Sequence, residues 1–291
     1  MSEHPTTTAV AAGAEARSPR GRRARATPTG ARLGRASGVG LGTAVLWLSI
    51  VVLLPLATVV ASSTDDGVSG FFDTMTNDAV AAALRLTVGT ALVVTLVNVI
   101  MGTLIAWVLV RDHFAGRAAL EVLIDIPFAL PTIVAGLVLL SLYGPTSPIG
   151  IDIAQTRIAI AVAVAFVTLP FVVRTVQPVL LELERDVEEA AMSLGASRFT
   201  TFRRIVLPGL VPAIASGAAL SFARGISEYG AVVLIAGNIP FRTEIASVRI
   251  LTQVENDQTT AAAVTATVLL IISLLTIVLL DVVPRWASRR G

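Results

Sequence analysis

Long uncharged, apolar stretches alternate with short charged ones along this chain. They run over 41–61, 86–110, 126–144, 158–173, 205–223 and 259–280. A bilayer core of about 30 Å is crossed by roughly 20 apolar residues in helical form. The pattern therefore predicts an all-α, polytopic membrane protein with six transmembrane helices. The fourth stretch is short between Arg157 and Arg174, but arginine stems can lie along apolar surface, and apolar residues continue to Leu181. Over 205–241 the only charges are Arg224 and Glu228. As one helix that length would reach about 55 Å, too long for one crossing. The expected arrangement is a helix from Pro208 to Tyr229, a break near Gly230, and an apolar segment, 231–241, folded at the outer mouth.

Between the fourth and fifth spans the pattern changes. Leu180, Leu183, Val187, Ala190 and Leu194 recur at three- and four-residue steps, as on one helical face. Arg185 and Glu189 are spaced for an i,i+4 pair, and Gly195 is placed to stop the helix in a left-handed conformation. The segment reads as an amphipathic helix beneath the membrane. It either rests on lipid or docks into a groove of a partner. Its acidic residues disfavour an anionic lipid surface, and Ala190, Ala191 and Gly195 permit close approach by protein.

Composition sharpens the picture. The chain is 54% hydrophobic and 14% charged, with a mean hydropathy of +0.80, against about a quarter charged in soluble domains. It has no cysteine, and its two histidines, His4 and His113, are far apart, so thiolate and histidine metal sites are not expected. Every basic residue is arginine. Without lysine there is no phosphate-binding GxxxxGK[ST] loop and no Schiff-base chemistry. No feature points to a nucleic-acid partner.

Arginine placement orients the spans. One side collects the N-terminal tail (Arg17, Arg20, Arg22, Arg23, Arg25, Arg32, Arg35), Arg111 and Arg117, the loop with Arg174, Arg185, Arg198, Arg203 and Arg204, and the C-terminal Arg285, Arg289 and Arg290. The other side holds Arg157, Arg242 and Arg249, with Asp65, Asp66, Asp73 and Asp78 in its first loop. Both termini are thus expected in the cytoplasm. Residues 1–40 lack apolar periodicity and read as a disordered, Arg-rich tail that fixes topology or touches anionic lipid; 286–291 read as a short second tail. A cleavable signal ending at Ala61 fits less well, because the apolar run is too long.

Candidate chemistry is sparse. Arg224, about 24 Å along the helix from Pro208, falls in the outer third of the bilayer. Such an arginine is costly and faces a bundle interior or cavity. Arg224 and Glu228 either neutralise each other or, with Ser227, line a substrate path. Arg85 reads as an interfacial anchor, Gly102 as a packing glycine, and Asp125 as an acidic residue at the start of the third helix. The adjacent Glu188 and Glu189 imply no acid–base pocket.

At the polar loop the residues carry a resemblance. Glu189-Ala190-Ala191, then Gly195, then Ile205-x-Leu207-Pro208 resembles, at every marked position, the EAA-x3-G-x9-I-x-LP loop of bacterial ABC importer permeases. "DIPFALPTIVAGLVLLSLYGP" (125–145), "TLPFVVRTVQPVLLELERDVEEAA" (168–191) and "SEYGAVVLIAGNIPFRTEIASVRI" (227–250) look like the T-type permease of sulfate/thiosulfate importers, across about 41–285. Ser227 departs from the usual glycine. The resemblance implies a type I importer permease fold and a coupling loop, about 178–208, seated in a cleft of an ATP-binding subunit. It also implies that this chain binds no cofactor, with ATP-Mg held by that separate subunit. The implied partners are a W-type second permease, two ATP-binding subunits and an extracytoplasmic sulfate-binding protein, in a bacterial cytoplasmic membrane. A molybdate or tungstate ABC permease is the nearer alternative, and an ion-coupled secondary anion carrier the more distant one.

Overall fold

The computed structural model describes residues 35–183 and 185–288, with side chains over 38–183 and 185–279. The N-terminal tail to residue 34, Glu184 and residues 289–291 lie outside the described residues. The described residues divide into two compact units, the first ending at Val51 and the second beginning at Val52. The first holds α1 (Arg35–Leu48), and a π-helical segment, Ser49–Leu53, spans the boundary.

The second unit continues as α2 (Leu54–Ser62), α3 (Gly67–Thr76), α4 (Asp78–Arg111), α5 (Arg117–Ala129), α6 (Thr132–Tyr143) and α7 (Arg157–Glu182). There follow α8 (Arg185–Ser193), α9 (Arg198–Thr201), a π-turn at Phe202–Val206, α10 (Leu207–Ile226), α11 (Gly230–Ile235), α12 (Ala246–Glu255) and α13 (Thr259–Ser288). Local chemistry sets several starts. The Asn77 side chain accepts from the backbone of Ala79 and Val80 to open α4, and Thr156 accepts from Ala159 to open α7.

Five described helical stretches are long and apolar enough to cross a membrane: 38–62, 78–111, 157–182, 198–226 and 259–279. The expected third span is instead two helices, α5 and α6, bent by 117°. Pro131 explains the break: it forces Leu130 into extended backbone (φ −85°, ψ 134°), which ends α5. Together they make one crossing, because they contact opposite halves of α7. Ile124 of α5 packs with Val172, Val173 and Val176, whereas Ala135 and Leu139 of α6 pack with Ala159, Ile160 and Ala163. Counted so, the described residues hold up to six crossings.

The core is a bundle of α4, α7 and α10, drawn close by small residues. A Cβ on Gly102 would sit 2.8 Å from the Cβ of Val172, so the packing role expected of Gly102 is met at the α4–α7 contact. Buried Asn98 donates to Thr168 (2.8 Å) and Ser221 (3.4 Å), tying all three helices through one polar node.

Two charged residues stand elsewhere than expected. Arg174 lies inside α7, not in a loop, and pairs with Asp125, Nε to Oδ1 at 2.8 Å and a second contact from Nη2 to Oδ2. Asp125 is accordingly well inside α5 and not at a helix start. Each charge is matched by the other, so neither helix has to end where its charge stands. The fifth span breaks at Ser227–Tyr229, close to the expected Gly230, and the 231–241 segment folds into α11 and a turn.

Candidate functional site

The link between α7 and α8 falls at Leu183, so the helical face expected to run from Leu180 to Leu194 is split. Leu180 is buried in the core of α7, while Val187 and Leu194 are exposed. α8 is nine residues, Arg185–Ser193. Gly195 ends it at φ +90°; the Ala196 amide donates to Ala191 and the Gly195 amide to Met192, closing the last carbonyls. Ser197 then caps α9 by accepting from Thr200 at 3.2 Å.

On this loop Glu189, Ala190 and Gly195 are exposed and Ala191 is half-buried. Ile205 and Leu207 are half-buried and Pro208 exposed where the π-turn joins α10. Around them apolar side chains stand in solvent: Leu194 is 90% and Phe199 71% exposed, with Val187 and Met192 beside them. Exposed apolar groups beside charged ones are a feature of surfaces that meet either protein or membrane.

The expected Arg185–Glu189 pair does not form. Arg185 donates instead to the Val110 carbonyl at 3.1 Å. Glu188 pairs with Arg111, the last residue of α4, which also donates to the Leu183 carbonyl at 3.4 Å. The Arg111 guanidinium lies 5.7 Å from the Trp107 ring centroid, and Trp107 meets Phe202 edge-to-face at 5.4 Å. A cluster from two membrane helices thus holds α8 from behind, beside a cavity of about 390 Å³ lined also by Glu189, Met192 and Arg198. Arg111 and Glu188 are 77 residues apart. The sequence signs were an arginine closing a span and a glutamate on a docking helix, and neither names the other.

At the other end of the bundle, Arg224 Nη2 lies 2.7 Å from Glu228 Oε2. Glu228 is fully buried; its Oε1 accepts from the Ala231 amide at 2.8 Å, at the start of α11, and its carbonyl accepts from Ser247. Ser227 is exposed, and its hydroxyl turns back to the Arg224 carbonyl at 3.0 Å. The three candidate path residues are therefore together, joined at the break between α10 and α11. In the adjoining turn, buried Glu244 faces Arg249 at 3.7 Å. Burial pushes the Glu244 carboxyl above its ordinary value of 4.5, with Arg249 partly opposing the rise.

Residues 98–290 match the family described as binding-protein-dependent transport system inner membrane component. The chain is 45% identical over 252 residues to the sulfate transport system permease protein CysT of Synechocystis sp., covering 84% of this chain and 88% of that one. It is likewise 45% identical over 244 residues to the CysT of Salmonella typhimurium, covering 81% and 88%. Among solved structures, the fold resembles a chain of a bacterial ABC transporter that imports the acidic polysaccharide alginate, with a TM-score of 0.71 at 16% identity, covering 85% of this chain and 94% of that one. A bacterial alginate ABC transporter in complex with an alginate pentasaccharide-bound periplasmic protein gives 0.71 at 17% identity, covering 86% and 94%.

Proposed function

The chain belongs to the family of binding-protein-dependent transport system inner membrane components, and from that premise we propose that it is the T-type permease subunit of an ATP-driven importer of sulfate and thiosulfate. The observation that carries the substrate is the 45% identity to two sulfate permeases over more than four fifths of the chain. The chain has no lysine, hence no phosphate-binding loop of its own. ATP-Mg then belongs to separate ATP-binding subunits, two per complex, and the loop of Glu189, Ala190, Ala191, Gly195, Ile205, Leu207 and Pro208 is their docking site. A second, W-type permease completes the pore. An extracytoplasmic binding protein delivers the anion; the periplasmic protein bound in one structural relative supports a partner of that kind.

In this reading, displacement of α8 by the ATP-binding subunit reaches α4 directly, because Glu188 is held by Arg111 and Arg185 by the Val110 carbonyl. The α8 end is cytoplasmic, as are both termini. Tags before Met1 and after Gly291 are then protected in intact spheroplasts, and one near Asp66 is accessible; an accessible C-terminus would overturn the orientation. For the substrate, the complex reconstituted in proteoliposomes with its binding protein is given ATP and labelled sulfate, thiosulfate or molybdate. ATP-dependent accumulation of sulfate or thiosulfate is expected, and accumulation of molybdate alone would refute the reading.

A further inference from the structure

The arginines of the membrane-spanning bundle fall into two kinds. Arg111, Arg174 and Arg224 each hold a carboxylate. Arg85 and Arg157 hold none among the described residues, and both line one cavity of about 500 Å³ between α4 and α7. It lies at the end of the bundle opposite α8, where both helices begin. No acidic side chain among the described residues lines it; the rest of its wall includes Leu86, Gly89, Thr90 and Phe241. Arg157 is fixed by donating from Nε to the Arg242 carbonyl at 3.1 Å and from Nη2 to that of Phe241 at 3.5 Å. Arg85 uses Nε on the Ala81 carbonyl at 3.2 Å. Each guanidinium keeps further N–H donors without an acceptor among the described residues.

Both arginines are exposed at the edge of the cavity, and two cations with no carboxylate in its lining to cancel them set a positive potential there that favours a divalent anion. Guanidinium groups match tetrahedral oxyanions by paired N–H···O bonds. We infer that this cavity is a binding site for a tetrahedral oxyanion, a waiting station through which sulfate passes before it enters the bundle. The occupant's chemistry could equally come from a lipid phosphate headgroup. The inference rests on the oxyanion-importer reading above, and it assigns the first contact to Arg85 and Arg157 and not to the neutralised Arg224.

Gly89 offers a test that leaves the charges alone. A Cβ built there meets no atom within 4 Å, and leucine suits a helix better than glycine does. Gly89→Leu, Arg85→Gln, Arg157→Gln and Arg85→Lys are each assembled into the full complex in proteoliposomes. Labelled sulfate uptake and binding-protein-stimulated ATP hydrolysis are measured per assembled complex. Gly89→Leu and the two glutamine variants should lose sulfate uptake by about tenfold or more, the scale of a lost charge-assisted hydrogen bond, with ATP hydrolysis still stimulated. Arg85→Lys should keep a substantial fraction of uptake. Wild-type uptake in Arg85→Gln together with Arg157→Gln would overturn the site. Uptake losses that track loss of co-purified phospholipid phosphate, and that added anionic lipid restores, would assign the cavity to lipid and overturn the substrate role. Failure of the wild-type complex itself to take up sulfate would instead sink the functional reading on which the site depends.

Discussion

The two ends of the bundle treat polar and apolar groups in opposite ways. At the α8 end, Leu194 and Phe199 stand in solvent while the charged groups behind them, Arg111 and Glu188, are paired and largely covered. At the far end, α11 and the turn before α12 bury Ile235, Ala236, Ile245 and Ala246, and even the carboxylates Glu228 and Glu244 are taken inside. Exposed apolar surface is tolerated when another chain will cover it, whereas a buried carboxylate is tolerated only if its own chain supplies partners. One end thus leaves apolar side chains uncovered, as the proposed docking of an ATP-binding subunit would require. The other supplies cations to its own buried carboxylates, Arg224 to Glu228 and Arg249 to Glu244, and two of its arginines, Arg85 and Arg157, share one cavity. Substitutions should consequently damage coupling at the first end and stability at the second.

The largest effect is expected where the far end is broken. Arg224→Ala would leave fully buried Glu228 without its cation, a change that costs about 3–5 kcal/mol in other buried pairs. Arg224→Ala with Glu228→Ala removes both charges and should recover much of the lost stability. Thermal unfolding of the purified chain and sulfate uptake per assembled complex check this. A stable double variant with full uptake would remove Arg224 from the substrate path and leave it as a helix-orienting partner. A stable double variant with poor uptake would keep Arg224, with Ser227 beside it, on the path.

At the α8 end, breaking the link to α4 should have the next largest effect. Arg111→Ala and Glu188→Ala, alone and combined, should show a coupling of about 1–2 kcal/mol in a double-mutant cycle. ATP hydrolysis should continue while uptake falls several-fold, because the docking helix has lost its hold on the membrane helix. Fully additive effects on uptake would show that the pair transmits nothing. Gly195→Leu should cost the isolated chain only about 1–2 kcal/mol, the strain of a left-handed residue, since its Cβ would meet no atom of this chain within 4 Å. Membrane insertion should be normal and ATP-driven uptake lost, because the new side chain projects at the docking surface. Normal uptake at normal protein levels would contradict the proposed contact.

These contrasts also separate what was legible in the sequence from what was not. Uncharged runs marked the spans, because burial in lipid is a property of each segment by itself. The stop at Gly195 and the break after α10 were readable for a similar reason: backbone conformation and length limits are local. Pro131 already carried the sign of the broken third span, in the restriction it puts on Leu130. Pairings were not readable. Arg174 reads as a loop residue because a charge ends an apolar run, and Asp125, on another helix 49 residues away, is what makes its place inside α7 tolerable. Arg111 and Glu188 are hidden for the same reason, as are Arg85 and Arg157, which share a cavity only once α4 and α7 are packed.

The smallest expected effect, and the finest probe of the far end, is the response of Glu244 to pH. Its carboxyl is raised above the ordinary 4.5 by burial, against the opposing pull of Arg249. A carboxyl that holds its proton more tightly when folded makes the folded state bind more protons than the unfolded one between the two values. Stability contributed by the neutral form is therefore present at and below the ordinary value, and it declines as pH rises through the raised one. For one proton the slope is at most about 1.4 kcal/mol per pH unit. The response should be local, because Glu244 sits in the turn between α11 and α12, where Thr243 accepts from the Ile239 amide at 3.0 Å. Hydrogen exchange of amides 239–249 should therefore quicken as pH is raised above 4.5 beyond the intrinsic base-catalysed trend, and Glu244→Gln should abolish that excess. The same excess in Glu244→Gln would assign the response to another group. No excess in the wild type would mean that Arg249 keeps Glu244 ionised throughout, so that this end holds a second full ion pair like that of Arg224 and Glu228.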